Sequence, residues 1–312
     1  MKKLLGLMLG MSLIAAGCSN EAEDTANNTD TEEVAVTDDA GHEVSVPENP
    51  ERIIGTYLED DLLTLEETPV VQWTVGEESI QEYLQPEGLE GVPLMPFDLP
   101  FEAVTLEEPD LLLLSSSDLA DGDKYDSYSK IAPTFVVESG SYDDWRDRLT
   151  RLSEVFGKED LAEEKINEYN SVVENTAADL EEEVGDESAV AVWWTGDSYF
   201  ISNQDKSSGE VLYNDLGLTA PPLVEELSAD NETPWIEASL ESLAELEVDH
   251  IFFIGTDEGD SEAAFSDDVF SNIPAIENGN VYEYTKADSW LYSGYIANSL
   301  IVEDVEEALV SN

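Results

Sequence analysis

Two features of this chain look placed for chemistry: aromatic rings set in an acidic sequence, and a glutamate that recurs at a fixed distance before an aspartate. The segment SWLYSGYIANSL holds Trp290, Tyr292 and Tyr295 within six residues. Such rings grip an apolar or cationic ligand through their faces, and the indole and phenol keep a polar handle. Further candidates are Tyr57 and Trp73 at the ends of predicted strands, the neighbours Trp193 and Trp194, Tyr199, Tyr213 before NDLGL, and Trp235 in DNETPWIEAS. Ser116 and Tyr125, both in SSSDLADGDKY, offer hydrogen-bond donors. Six tryptophans cannot all touch one ligand, so several belong to cores. In the second feature, Glu102 stands eight residues before Asp110 in FEAVTLEEPDLLLL, and Glu241 eight before Asp249 in LESLAELEVDHIFF.

Reactive constellations are absent. The chain has no Gly-rich phosphate loop followed by lysine, no GxSxG and no HExxH. Its two histidines, His42 in a predicted turn and His250 at a strand start, lack a ligand or triad partner by spacing and read as structural. Asp and Glu total 73, too many for any one pair to mark a glycosidase site. The formal net charge of −61 repels nucleic acid and other polyanions. Hydrophobic residues make up 41%, with runs such as DLLLLSSS and HIFFIGT that exclude disorder. Salt would screen the self-repulsion, so the acid reads as adaptation to a saline setting. The pattern is that of a binder, with no enzyme and no metal ligand.

The elements that must position these residues fall into two halves. MKKLLGLMLGMSLIAAGCSN reads as a signal peptide over 1–17, because its apolar run is short and leads straight to small residues. Cys18, the sole cysteine, rules out an intrachain disulfide. With the small residues before it, Cys18 resembles a bacterial lipoprotein processing site, although Ala15 is less typical there than leucine. Residues 18–33 read as a lipid anchor and hydrated tether. EVAVTDDAGHEVSVP predicts a hairpin, ERIIGTY and TPVVQWT strands, and FEAVTLEEPDLLLLSS a helix feeding a strand buried on both faces. A helix is predicted in SYDDWRDRLTRLSEVFG. The stretch from Lys158 to Glu183 lacks Gly and Pro and predicts one long helix, a spacer between lobes. The helix-to-strand switch after Glu102 and again after Glu241 is a weak internal repeat of two similarly built lobes. The expected divisions are 34–157, an N-terminal lobe; 158–184, the interlobe helix; and 185–312, a C-terminal lobe.

In order and spacing, TDDAGHEVSVPENPERIIGTY, FEAVTLEEPDLLLLSS, WRDRLTRLSEVFGKEDLAEEKINEYN, GEVLYNDLGL, SLESLAELEVDHIFFIG, IPAIENGNVYEY and SWLYSGYIANSL resemble the iron–siderophore substrate-binding lipoproteins of bacterial ABC importers. The likeness is greatest to their hydroxamate-binding members and covers nearly all of residues 34–312. It implies an α/β fold of two Rossmann-like lobes joined by a single long helix, the cluster A or class III periplasmic-binding-protein fold, with the ligand in the cleft. It implies an extracytoplasmic monomer, lipid-anchored at Cys18 to the outer face of the cell membrane. Glu102 and Glu241 match the glutamates that dock on arginines of the permease. SWLYSGYIANSL matches the segment that places an aromatic in the cleft, making Trp290 the first choice and Tyr292 the second, with Tyr295 packed inside. Some hydroxamate-binding relatives use a cleft arginine in the second lobe, yet residues 185–312 contain none. That departure favours a neutral or cationic ferric hydroxamate of the ferrioxamine type over an anionic tris-catecholate. Iron then arrives already chelated, with no intrinsic cofactor and no protein ligand to the metal. A haem or corrinoid carrier, a carboxylate-dependent glycoside hydrolase and an adhesin are the competing readings.

Overall fold

The computed structural model describes residues 33–74, 80–137 and 144–310. The predicted signal peptide and Cys18, with the tether up to residue 32, lie outside the described residues.

The N-terminal lobe opens with an antiparallel hairpin, β1 (Glu33–Thr37) and β2 (Glu43–Pro47). β3 (Ile53–Gly55) leads into α1 (Glu59–Thr64), and β4 (Gln72–Trp73) pairs in parallel with β5 (Leu94–Met95). After α2 (Phe101–Leu106) come β6 (Leu111–Leu114), α3 (Lys124–Tyr128) and β7 (Thr134–Val136). β3, β6 and β7 form a parallel sheet with β6 at its centre. All four leucines of β6 are fully buried, as expected of a strand covered on both faces. α4 (Trp145–Phe156) begins where the Asp144 carboxylate accepts the Arg146 amide and ends at Gly157, whose φ of 63° suits glycine. It buries Trp145, Leu149 and Leu152.

α5 (Glu159–Glu183) follows at once, 25 residues and ~37 Å long. Tyr169 and Leu180 mark the narrow buried stripe of this helix that joins the lobes.

The C-terminal lobe contains β8 (Ala189–Trp194), β9 (Tyr199–Ser202), α6 (Ser207–Gly209), α7 (Pro222–Ser228), β10 (Trp235–Ala238), α8 (Leu240–Ala244) and β11 (His250–Gly255). α9 (Asp260–Ala264), α10 (Pro274–Asn278), β12 (Val281–Thr285) and α11 (Tyr295–Leu309) complete it. Its five-stranded sheet runs β10-β9-β8-β11-β12; β8, β11 and β12 pair in parallel, and β9 alone is reversed, pairing antiparallel with both β8 and β10. The fold is thus two α/β lobes joined by one long helix.

The internal repeat has a concrete basis. In the first lobe, the Asp110 carboxylate accepts the amides of Glu51 and Arg52, each at 2.8 Å, and Arg52 O accepts the Asp110 amide at 3.0 Å. In the second, Asp249 accepts the Ser188 amide at 2.9 Å, and Ser188 O accepts the Asp249 amide at 3.2 Å. Each aspartate stands one residue before a parallel strand pair, Ile53 beside Leu111 and Ala189 beside His250. The Ser188 amide and hydroxyl hold the Asp249 carboxyl below the usual carboxylate range.

Candidate functional site

In open α/β sheets, ligands sit beyond the carboxyl ends of strands. Tyr57 follows β3 by two residues, Trp73 ends β4, Ser116 follows β6 by two, and Trp193 and Trp194 end β8. Tyr57 has a φ of 57°, a left-handed conformation uncommon for any residue with a side chain. Its ring meets Trp73 edge-on at 5.7 Å and Tyr292 of the other lobe at 6.2 Å. Tyr292 also lies 5.1 Å from Tyr83, and its hydroxyl donates to Ile80 O at 3.3 Å, so it reaches across to the N-terminal lobe. Burial, with the charges of Glu82 and Glu59 adding to it, pushes the Tyr292 hydroxyl up to about 12. Trp73 is fixed at two points: its amide donates to Glu59 at 2.7 Å and its indole N–H to Phe97 O at 3.1 Å. Tyr57 and Trp73 stay half-buried, leaving ring surface for a ligand.

Beneath this aromatic seam lies a buried charged cluster. Glu59, Asp60 and Asp61 of α1 are all buried, and so is Arg148 of α4. Arg148 donates to Asp61 at 2.7 Å and to Ser293 O of the C-terminal lobe at 2.8 Å. Asp60 accepts the amides of Ile296 and Ala297 at 3.0 and 2.9 Å, and the Tyr83 hydroxyl at 3.0 Å. Burial pushes Glu59 up to about 8; it also raises Asp61 to about 6 against the opposing charge of Arg148. Among the described residues no group of three or more His, Cys, Asp or Glu side chains is arranged to hold a metal ion.

The other arginines are also engaged. Arg146 bridges to Asp215 at 2.9 Å and Glu210 at 3.4 Å in the C-terminal lobe, where Tyr169 donates to the same Asp215. Arg151 pairs with Asp39 and Glu154, and Arg52 donates to Glu107 O.

The remaining expected site residues divide. Trp290, the first choice for the cleft, is 0% exposed. A 3-10 turn over Ser289–Leu291 carries its ring between Phe252 at 4.8 Å and Tyr284 at 4.9 Å, and its indole donates to Asp304 at 2.8 Å. A ring so enclosed has no face for a ligand, which corrects that expectation: within SWLYSGY, Tyr292 holds the seam and Trp290 the core. Tyr199 is likewise a core residue, its hydroxyl donating to Ala264 O and its ring beside Phe270. Tyr213 is buried and donates to Ala189 O at 2.9 Å. Tyr125 stacks on His42 at 3.6 Å and donates to Thr134 O. Trp193 and Trp194 face opposite ways, Trp193 toward Phe200 and Trp235, Trp194 toward Tyr199 and Phe253. Both stay half-buried, as do Trp235 and Ser116. Tyr295 is half-buried and its hydroxyl reaches Glu168 of α5. Glu102 and Glu241 are exposed at the second residue of α2 and α8, each after an exposed apolar residue, Phe101 and Leu240.

Sequence reasoning missed Tyr83 and the α1 acids. EDDLLT reads as an ordinary acidic helix start, and nothing in a chain with 73 acids marks the few that are buried.

The profile of a family described as periplasmic binding protein matches residues 96–287. The chain belongs to that family. Among similar proteins is the iron(3+)-hydroxamate-binding protein FhuD of Bacillus subtilis (strain 168), 25% identical over 280 residues, which are 89% of this chain and 87% of that protein. The Fe(3+)-citrate-binding protein YfmC of the same organism is 25% identical over 319 residues, 97% and 95% of the two chains. Among solved structures, a FhuD fold-family periplasmic binding protein component of a Fep/Fec-like ferrichrome ABC transporter from Bacillus subtilis superposes with a TM-score of 0.74 at 23% identity. It covers 89% of this chain and 100% of that one. Members of this family carry solutes outside the cytoplasm and catalyse no reaction. The iron–siderophore resemblance read from the sequence therefore stands at the level of the family, and the enzyme and adhesin readings fall away.

Proposed function

We propose that this protein is the substrate-binding lipoprotein of an ABC importer and carries a neutral or cationic ferric hydroxamate siderophore of the ferrioxamine type. One observation carries the ligand class: the interlobe seam is aromatic, while all four arginines are bonded to the protein's own carboxylates and carbonyls. An anionic cargo such as ferric citrate or a tris-catecholate favours cations at the site, and a strongly acidic protein whose arginines are all committed elsewhere disfavours it. A hydroxamate shell is less charged and suits aromatic faces and a few hydrogen bonds.

In this reading the siderophore lies against the half-buried Tyr57 and Trp73, with the largely buried Tyr292 backing them, Trp193, Trp194 and Trp235 as candidates from the second lobe and Ser116 as a donor. Iron stays within its chelator. Glu102 and Glu241, one on each lobe, present the loaded protein to arginines of the permease through charge-assisted contacts. Cys18 carries the lipid.

Fluorescence titration of the full-length protein with ferric desferrioxamine, haem and a ferric catecholate tests this. Saturable quenching by the first is expected, weakened about tenfold or more in Tyr57→Ala, as for loss of an aromatic anchor. Quenching by haem alone, or by the catecholate in preference, overturns the ligand class.

A further inference from the structure

The last helix of the C-terminal lobe is capped by the N-terminal lobe. α11 is fifteen residues long, and Gly294 at its N-cap position has no side chain to satisfy the first amides. Such amides usually find an acceptor on the cap residue itself. Here Ile296 and Ala297 donate to the two oxygens of Asp60, more than two hundred residues earlier in the chain. Asp60 is 3% exposed and is held in turn by the Tyr83 hydroxyl. A carboxylate at a helix N-terminus also meets the positive end of the helix dipole.

Gly294 makes the approach possible. Its φ of 171° and ψ of 175° are extended backbone that any residue adopts, so conformation does not demand glycine. Space does: a Cβ there would lie 2.4 Å from Asp60 Cγ and 2.5 Å from its Oδ1. The two contact residues also flank the aromatic seam. Tyr57 stands three residues before Asp60, and Tyr292 two before Gly294. Arg148 adds a second strut, tying Asp61 to Ser293 O between them.

We infer that Asp60, seated against Gly294, is a positioning residue: it pins the start of α11 to the N-terminal lobe and so sets the spacing of Tyr57 and Tyr292. Ligand affinity then depends on a carboxylate that does not touch the ligand. This rests on the seam being the ligand site, as proposed above.

The test uses the full-length protein with Asp60→Ala, Gly294→Ala, the double variant and Asp60→Asn. Ferric ferrioxamine B affinity is read by fluorescence, α11 amide protection by hydrogen exchange, and stability by melting. Each alanine variant is expected to weaken binding about tenfold, the scale of a lost hydrogen bond to a charged group. The double variant should be no weaker than Asp60→Ala alone, because the new Cβ has room once the carboxylate is gone. Asp60→Asn, which keeps one acceptor oxygen, should recover part of the affinity. The first amides of α11 should lose protection in both single variants, and the melting temperatures should show the same non-additivity without any ligand. Additive losses, or unchanged α11 protection, overturn the cap. Lost protection with unchanged affinity overturns the positioning role. If the wild type binds no siderophore, the functional reading fails and takes the positioning role with it, while exchange and melting still decide the cap itself.

Discussion

Glu59 carries a carboxyl at the first position of α1 with one oxygen accepting the Trp73 amide and the other, equally buried, making no hydrogen bond. Burial raises its pKa from 4.5 to about 8, so the folded protein keeps a proton there that the unfolded chain gives up. Its contribution to stability is complete below about 4.5 and is lost as pH rises through about 8. Glu59→Gln mimics the neutral form. The two proteins should melt alike near the lower pH, with the variant increasingly the more stable toward the higher one; parallel melting curves across that window would mean that Glu59 is charged throughout. The seam shows what can be read at this scale. Spacing identified SWLYSGYIANSL as an aromatic segment but could not assign its rings. The direction of Trp290 is set by one 3-10 turn and by Asp304, fourteen residues on, and neither leaves a mark in the local pattern.

α4 works as a clasp between elements. Its arginines 146 and 148 point to different partners, one to Glu210 and Asp215, the other to Asp61 and the Ser293 carbonyl. Removing one member of a buried pair strands the other charge. Arg148→Met should therefore lower stability by about 3–5 kcal/mol, and adding Asp61→Leu should recover much of it. Denaturant melts of the two variants check this; a double variant as unstable as the single one would place the loss in packing and not in the stranded carboxylate. Elements of this kind were legible where one physical signal dominated. Unbroken helical sequence gave α5, consecutive leucines gave β6, and apolar periodicity gave α4. The jobs of the arginines were not legible, because an arginine on an amphipathic helix reads as solvent-facing whether or not an acid from another element covers it.

Across the whole molecule, 12 basic residues face 73 acidic ones. Many of the bases are already in ion pairs, so the uncompensated acids repel one another over the surface. The screening length falls from about 10 Å at 0.1 M salt to about 3 Å at 1 M. Melting temperature should therefore climb steadily with sodium chloride through that range. A flat response would show that the surface acids are already neutralised. The two-lobe plan was readable at this scale because the Glu-to-Asp spacing repeats, and the matching hooks of Asp110 and Asp249 give that repeat its physical meaning.

The cap on α11 also bears on the order in which the molecule can be finished. Asp110 secures its lobe from about sixty residues away, and Asp249 does the same for the other, so each sheet can close soon after its own segment is made. Asp60 has to wait for Ile296 and Ala297, more than two hundred residues further along the chain. Until they arrive, a nascent first lobe holds a carboxylate that is dehydrated without its partners or else still open to water. The first lobe made thus matures only once the start of α11 exists, and synthesis of that helix is what sets the cleft.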